Sequence, residues 1–367
     1  MIPSSTQEGV RSLLTQPPIT SKLLRWYAGH SRNLPWRHTR DPYSIWVSEI
    51  MLQQTQVDTV IPYYLRFLNK FPSVRSLAEA TPDEVLKSWE NLGYYSRARH
   101  LHAAAKEIVV RWGGSLPKNR KDLLDLPGIG EYTADAILSI AFAQPVAAVD
   151  GNISRVISRL FALGKPLGSP ASREQVRKRA SDLLSKKHPG RFNQAMMDLG
   201  ATVCTPRTPA CVSCPLRGLC KAKHLGLQGR LPVAKKKPAL SHKHMIAAIL
   251  FDRKKRVLVV RRPPFGLLGG LWKFPGGERG EKEALEEALV RTVREELNLH
   301  VRVVNTIGSI KHAYTHFRVT FHVYRCAVLR GRPRSLEGRK WKWVSAEELH
   351  TLALSKAERE ILATLHS

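Results

Sequence analysis

Leu126-Pro127-Gly128-Ile129-Gly130 is the stretch on which the reading of this chain turns. Lys121-Asp122-Leu123-Leu124 before it has the character of a short helix. Glu131-Tyr132-Thr133-Ala134 after it opens an apolar helical run reaching Phe142. Gly128 and Gly130 lack a Cβ, so the backbone can turn tightly and bring bare N–H groups up to an anion. Helix, glycine hairpin and helix together grip a nucleic-acid phosphate without reading bases. Taken alone, the pentapeptide also fits an ordinary turn. Twenty residues beyond Gly130, Val149-Asp150-Gly151-Asn152 sets a single carboxylate at a turn beside the hairpin helix.

The wider chain supports a grip on a polyanion. Its 59 Lys and Arg against 30 Asp and Glu leave a net charge of +29. Such an excess favours nucleic acid as partner, with binding that weakens as salt rises. A membrane surface fits less well, because no basic amphipathic helix with an aromatic face stands out. No apolar run approaches the roughly 18 residues of a membrane span. The first 30 residues, with Gln16-Pro17-Pro18, lack the apolar segment of a secretory signal. The expectation is a soluble cytoplasmic protein associated with the nucleoid.

The 367 residues exceed what one core usually holds, and 43% of them are hydrophobic, so two folded domains are expected. Residues from about 20 to 225 read as helical. One apolar stripe runs from Ser44 to Leu68 (Trp46, Ile50, Val57, Val60, Ile61, Tyr64), and further helices fit 82–92, 96–112, 153–163, 173–184 and 192–202. Leu225 to Lys243 is rich in Gly, Pro, Lys and Ser, and contains Lys235-Lys236-Lys237-Pro238, as a basic linker would. From Met245 the pattern is of strands (246–251, 256–261, 301–307, 317–326, 341–344), with one helix at about 281–297. An all-α domain is therefore followed by an α+β domain.

Cys204, Cys211, Cys214 and Cys220 are spaced C-x6-C-x2-C-x5-C. Four thiols this close suit one metal centre better than disulfides in a cytosolic protein. Only one pair has the C-x2-C spacing of a zinc knuckle, and the open loops favour a [4Fe–4S] cluster, with zinc as the alternative. A structural role fits the basic loop around them (Arg207, Arg217, Lys221, Lys223), while Cys326 stands apart as core.

The glycine hairpin, the following aspartate and this cysteine spacing together resemble the endonuclease III superfamily of DNA glycosylases over about residues 20–225. Within it, Ser48-Glu49-Ile50-Met51-Leu52-Gln53-Gln54-Thr55-Gln56-Val57 looks like the adenine glycosylase branch, the MutY family. Phe274-Pro275-Gly276-Gly277 looks like the start of the Nudix-related domain that this branch carries. The resemblance implies a helix-hairpin-helix glycosylase domain at 1–225 with a [4Fe–4S] loop at 204–220. A linker at 226–243 and a Nudix-like 8-oxoguanine recognition domain at 244–367 follow. It implies a monomer that removes adenine mispaired with 8-oxoguanine or guanine from double-stranded DNA in base excision repair.

The residues support this chemistry in their own terms. Breaking an N-glycosidic bond through an oxocarbenium-like sugar needs a proton for the departing base and a negative charge near the sugar, which two carboxylates supply. Glu49 lies in an apolar-flanked helix, with Gln53 and Gln56 on its face at i+4 and i+7, where burial would raise its pKa. Hydrogen bonds at its turn would keep Asp150 ionised. Structural readings compete: Glu49 as a solvated helix carboxylate, and Asp150 or Asn152 as a helix cap.

By the resemblance, Glu49 protonates the adenine on its five-membered ring. Asp150 stabilises the sugar cation, with a transient covalent adduct as one route, and Asn152 orients both. Gln54 and Tyr94 fill or wedge the duplex, and Arg32 and Trp36 line the base pocket or contact DNA. Leu52, Thr55, Gly128 and Gly130 complete the expected DNA contacts. Bifunctional relatives place a lysine at the position of Tyr132. A phenol cannot form an imine, so the reaction is expected to stop at an abasic site, with Tyr132 positioning Asp150 or the sugar.

The second domain departs from the Nudix box G-x5-E-x7-R-E-U-x-E-E-x-G-U, in which U is aliphatic. Gly277, Glu283 and Arg291 are in register, but Thr292 replaces a glutamate and Asn298 the final glycine. Losing one carboxylate should weaken Mg²⁺ binding and pyrophosphate hydrolysis, leaving Glu295 and Glu296 as a solvated helix face. Tyr314-Thr315-His316 matches the family's lesion-reading Phe-Ser-His loop with two conservative changes. Three other readings compete: a bifunctional oxidised-pyrimidine glycosylase/lyase, a non-catalytic redox-sensing DNA-binding protein, and a Nudix hydrolase.

Overall fold

The computed structural model describes residues 17–233, 240–314, 317–335 and 338–365. The chain divides into two compact units. One takes the described residues up to Arg75 and those from Ala104 to 233. The other takes Ser76–Ala103 together with the described residues from 240 onward. The segment 76–103, which reads as part of the helical domain in sequence, thus groups with the C-terminal unit. Within that unit Arg359 and Leu354 N–H bind Glu90, Arg261 pairs with Asp83, and Lys87 donates to the carbonyls of His350 and Leu352. The stretch Lys235-Lys236-Lys237-Pro238 lies outside the described residues. No described helix is long and apolar enough to cross a membrane.

The first unit is helical. The apolar stripe read from Ser44 to Leu68 is carried by two helices, Pro42–Leu52 and Val57–Lys70. The break follows from Gln54, whose φ of 58° is left-handed and cannot continue a helix. Gln53 and Gln56 are therefore caps of successive helices; Gln53 lines the same cleft as Glu49, and Gln56 does not. Helix Pro42–Leu52 starts on an Asp41 side-chain cap with proline in its first turn, and every residue from Ile45 to Met51 is buried. A helix apolar on all sides belongs inside a core, and it takes Glu49 with it. Helix Gly151–Leu160 instead buries one face (Ile153, Val156, Ile157, Leu160) against Ile19 and Leu23 of helix Pro17–His30 and Phe192 of helix Pro189–Asp198.

Helix Arg120–Asp125, the hairpin and helix Glu131–Ile140 follow the expected order. Only Gly128 uses glycine's freedom, at φ 78°. Gly130 is the N-cap of the second helix at φ −90°, a conformation open to any residue, and a Cβ there would meet no atom within 4 Å. What Gly130 contributes is an unobstructed helix N-terminus.

The second unit holds six strands among its described residues: β1 (Ser241–Leu250), β2 (Val257–Arg261), β3 (Trp272–Lys273), β4 (His300–Ala313), β5 (Phe317–Arg330) and β6 (Trp341–Val344). They form two sheets, ordered β1-β5-β4 and β3-β2-β6. β1 runs parallel to β5, with Met245 opposite Phe321, and β4 is antiparallel to β5. Alternation along β5 feeds two cores. Val319, Phe321 and Val323 pack toward Ile361 of helix Lys356–Ala363, and Tyr324 and Cys326 toward helix Leu285–Leu297.

The Nudix-box carboxylates correct the expectation of a solvated face. Glu295 is exposed and pairs with Arg291, but Glu296 is buried. Its carboxylate accepts Lys273 Nζ at 2.9 Å, Arg339 Nη1 at 2.8 Å and the Gly276 N–H at 3.2 Å. Thr292 is buried on the same helix, with its methyl where a Cβ on Gly277 would meet it at 2.9 Å.

Candidate active site

A cleft of about 950 Å³ opens in the helical unit. Ten of the candidate catalytic and DNA-contacting residues line it, Arg32, Trp36, Glu49, Leu52, Gln54, Thr55, Gly130, Tyr132, Asp150 and Asn152, and Gln53 joins them. Gly128 lies off the cleft, and Tyr94 belongs to the other unit. Tyr94 shares with Gln54 a left-handed φ, at 49°.

Glu49 is 5% exposed. Burial raises its carboxyl to about 7, and the charge of Asp150 adds to this, while the Tyr132 hydrogen bond and the charge of Arg37 work in the other direction. Tyr132 Oη donates to Glu49 Oε2 at 2.6 Å. Tyr132's own pKa stands well above the usual phenol, first through burial and then through the two carboxylates, so it remains a donor.

Asp150 does cap helix Gly151–Leu160. Its Oδ1 accepts Ile153 N–H at 2.7 Å and its Oδ2 accepts Asn152 Nδ2 at 2.9 Å. These bonds favour the ionised form, but burial outweighs them and the carboxyl sits above its usual range. Burial thus works against the hydrogen bonds that are expected to keep Asp150 ionised.

Asn152 also accepts Arg155 Nη2 at 2.8 Å, and the same nitrogen donates to Gly200 O at 2.7 Å. Gly200 lies in a π-helical turn, Leu199–Val203, and a Cβ there would stand 2.7 Å from Asn152 Cβ. Arg155 and Gly200 had no sequence signal, because only the fold brings residue 200 against residue 152. Arg37 and Gln194 also line the cleft unannounced. Trp36 is 6% exposed and packs edge-on against Tyr64, so it serves the wall as core.

The four cysteines are free and half-buried. Burial lifts Cys214 to about 11, and charge on Cys204, Cys220 and Cys211 would lift it further. A loop that gathers four thiols which repel one another as thiolates is chemically suited to a cationic centre. Among the described residues, no three His, Cys, Asp or Glu side chains converge tightly enough to hold a single metal ion. Arg159, 1% exposed, holds this loop. It donates to the carbonyls of Cys204, Thr205, Pro206 and Leu231 and reaches Cys204 Sγ at 3.3 Å.

Of the expected lesion-reading loop only Tyr314 is described. Its ring packs against His312 at 4.8 Å and Phe317 at 5.0 Å, and burial pushes its phenol to about 12. Thr315 and His316 lie outside the described residues.

Comparison with known proteins agrees with this geometry. Residues 47–186 match the HhH-GPD superfamily of base excision DNA repair proteins, and residues 246–364 match the NUDIX domain family. The human adenine DNA glycosylase is 36% identical over 397 residues, spanning 92% of this chain and 72% of that one. This chain belongs to the adenine DNA glycosylase family. The Arabidopsis thaliana adenine DNA glycosylase is 35% identical, spanning 92% of this chain and 63% of its own. A solved thermostable thymine-DNA glycosylase superposes with a TM-score of 0.51 at 32% identity, covering 56% of this chain and 95% of that one. A solved endonuclease III, at 21% identity and a TM-score of 0.50, shares the fold over 62% of this chain and the whole of its own.

Proposed function

We propose that this DNA glycosylase removes adenine mispaired with 8-oxoguanine, or with guanine, from double-stranded DNA, and stops at the abasic site. The observation that carries this reading is the meeting of Glu49, the Tyr132 phenol and Asp150 in one cleft. No lysine lines that cleft among the described residues.

The target nucleotide leaves the stack and enters the cleft. Glu49, protonated in a fraction of molecules near neutral pH, gives its proton to the departing base, and the glycosidic bond breaks with its electron pair going to the base. Positive charge then develops on the sugar beside Asp150. That charge favours the ionised carboxylate, which Ile153 N–H and Asn152 hold in place. Water completes the hydrolysis. With no amine at position 132, no imine forms and the strand stays intact. Gln54, Thr55, Leu52, Arg32 and Tyr94 contact the opened duplex, and the hairpin at Gly128 and Gly130 holds a phosphate.

Cys204, Cys211, Cys214 and Cys220 are assigned to a [4Fe–4S] cluster, which would fix the basic loop. A four-iron cluster takes one thiolate per iron and spreads its ligands wider than a single tetrahedral ion. Tyr314, Thr315 and His316 are assigned to reading 8-oxoguanine. The boundaries at 1–225, 226–243 and 244–367, a monomeric state and a place at the nucleoid complete the proposal.

Purified protein on defined duplexes tests it. Adenine release opposite 8-oxoguanine and, more slowly, opposite guanine is expected, with no release of oxidised pyrimidines. Release of oxidised pyrimidines without adenine would overturn it. Asp150→Asn should nearly abolish excision while leaving DNA binding, and His316→Ala should cost more opposite 8-oxoguanine than opposite guanine. A brown protein with visible absorption supports iron–sulfur; a colourless protein containing zinc refutes it.

A further inference from the structure

Asp198 does not line the cleft, yet it is 0% exposed and takes four hydrogen bonds from two arginines that do. Arg32 gives its backbone N–H to Oδ2 at 3.1 Å and its Nε to Oδ1 at 2.6 Å. Arg37 Nη2 donates to Oδ1 at 2.7 Å, and its Nη1 donates to Oδ2. The Arg37 guanidinium lies over the Tyr27 ring at 5.6 Å, and Tyr27 Oη donates to Gln194 Oε1 at 2.9 Å. Burial pushes the Asp198 carboxyl up, but the hydrogen bonds and charges of Arg37 and Arg32 more than reverse this and hold it below the usual range. Asp198 is therefore an anion across the neutral range, enclosed with two cations.

Those cations share the cleft with Glu49. From helix Glu131–Ile140 Tyr132 touches Glu49, and Asp150 faces it from the start of helix Gly151–Leu160. Glu131 and Arg177 face the cleft as a closed ion pair, with Arg173 beside them. Of these groups, Tyr132, Asp150 and Arg37 act on Glu49, and Arg37 acts toward ionisation. A guanidinium without a counter-charge in a desolvated cleft would strip the proton from a neighbouring acid. An ionised Glu49 has no proton to give.

We propose that Asp198 is a positioning residue for proton donation: it pins Arg37 to the cleft wall and cancels its charge, so that Glu49 retains a proton to give. This rests on Glu49 being the acid, as proposed above. A merely structural Asp198 would lower the rate equally at every pH. An electrostatic one moves the pH at which the rate falls.

The experiment is single-turnover excision on an adenine-mispaired duplex, with enzyme saturating, across the neutral range of pH. Wild type should lose rate as pH rises through about 7, where Glu49 ionises. In Asp198→Asn the midpoint of that loss should move down by about half a pH unit or more. Asp198→Glu should stay near wild type, and Arg37→Gln should move the midpoint up. An unmoved midpoint in a folded, DNA-binding Asp198→Asn overturns the proposal. If that variant fails to fold, an Arg37→Gln midpoint that does not rise overturns it. Full activity of Glu49→Gln would overturn the acid assignment and this proposal together. An inactive Glu49→Gln with an unmoved Asp198→Asn would overturn this proposal alone.

Discussion

Tyr132 Oη stands 2.6 Å from Glu49 Oε2, donating into a buried carboxylate. The residue whose identity excludes imine chemistry therefore also sets the acidity of the proton donor. Its hydrogen bond stabilises the ionised form and opposes the burial that raises Glu49 to about 7. Removing it leaves burial and the Asp150 charge less opposed.

Tyr132→Phe should accordingly shift the high-pH fall in excision rate upward, by about one pH unit. The plateau rate at low pH should fall modestly, by about tenfold, as the carboxylate loses its orientation. A pH–rate profile checks both. A downward shift would mean that the phenol does not hydrogen-bond Glu49 in the working enzyme.

Tyr132→Lys should turn part of the reaction into a lyase. A lysine side chain in that position reaches the same cleft and places an amine near the sugar. Borohydride should trap a covalent protein–DNA complex with this variant and trap essentially none with wild type. Equal trapping from both would point to another lysine.

Glu49→Gln should inactivate the enzyme and stabilise it. The folded carboxyl is raised from 4.5 to about 7, so the folded state holds a proton that the unfolded chain has released. Stability then falls as pH rises through that window, and the ionised group costs on the order of 3 kcal/mol above it. The variant's Tm should exceed wild type at pH about 8, and the gap should close below pH about 4. Loss of activity with a pH-independent Tm difference would contradict this origin.

Much of this site was legible because each signal was local. Asp150 and Asn152 sit on a helix start, the hairpin glycines between two helical runs, and Glu49 in an apolar string. The break after Leu52 was not legible, since the apolar stripe resumes in phase and only the left-handed Gln54 betrays it. Asp198 and Arg155 were hidden for a different reason. Their partners lie 166 and 45 residues away, and the pairing exists only once the helices pack. The burial of Glu296 was missed because Lys273, its counter-ion, sits 23 residues before it in a two-residue strand.

Gly200→Ala should damage catalysis without touching substrate. The added methyl carbon would stand 2.7 Å from Asn152 Cβ and 3.1 Å from its backbone, and backbone does not yield as a side-chain tip does. We expect destabilisation of about 1–3 kcal/mol and a fall in excision rate of at least about tenfold, with DNA affinity little changed. Thermal melts and single-turnover rates decide it. An unchanged rate would show that Asn152 need not be held.

Arg159→Met should release the cysteine loop. Three carbonyls, those of Thr205, Pro206 and Leu231, lose their donor inside the protein, and Cys204 O is left to Arg155. The expected cost is about 3 kcal/mol or more. Arg159→Lys should recover little of it, since one ammonium cannot span four acceptors. Metal content per chain, measured on purified protein, should fall with Met and stay low with Lys. Full metal content with a wild-type Tm would show that the loop is held by its cysteines alone.

Lys273→Met should destabilise the C-terminal unit. Lys273 is buried and donates to Gly276 O and to Glu296, which has a second cation in Arg339. Burial pulls the Lys273 pKa down while Glu296 supports it, so the ammonium depends on its partner. Removing it alone leaves a buried carboxylate half-compensated, at a cost of about 3 kcal/mol. Replacing both members, Lys273→Met with Glu296→Leu, removes the carboxylate as well and should regain part of that loss. Calorimetry with limited proteolysis of the C-terminal unit separates the cases. A double variant no more stable than Lys273→Met would mean that Glu296 is held mainly by Arg339 and the Gly276 N–H, with the ammonium secondary.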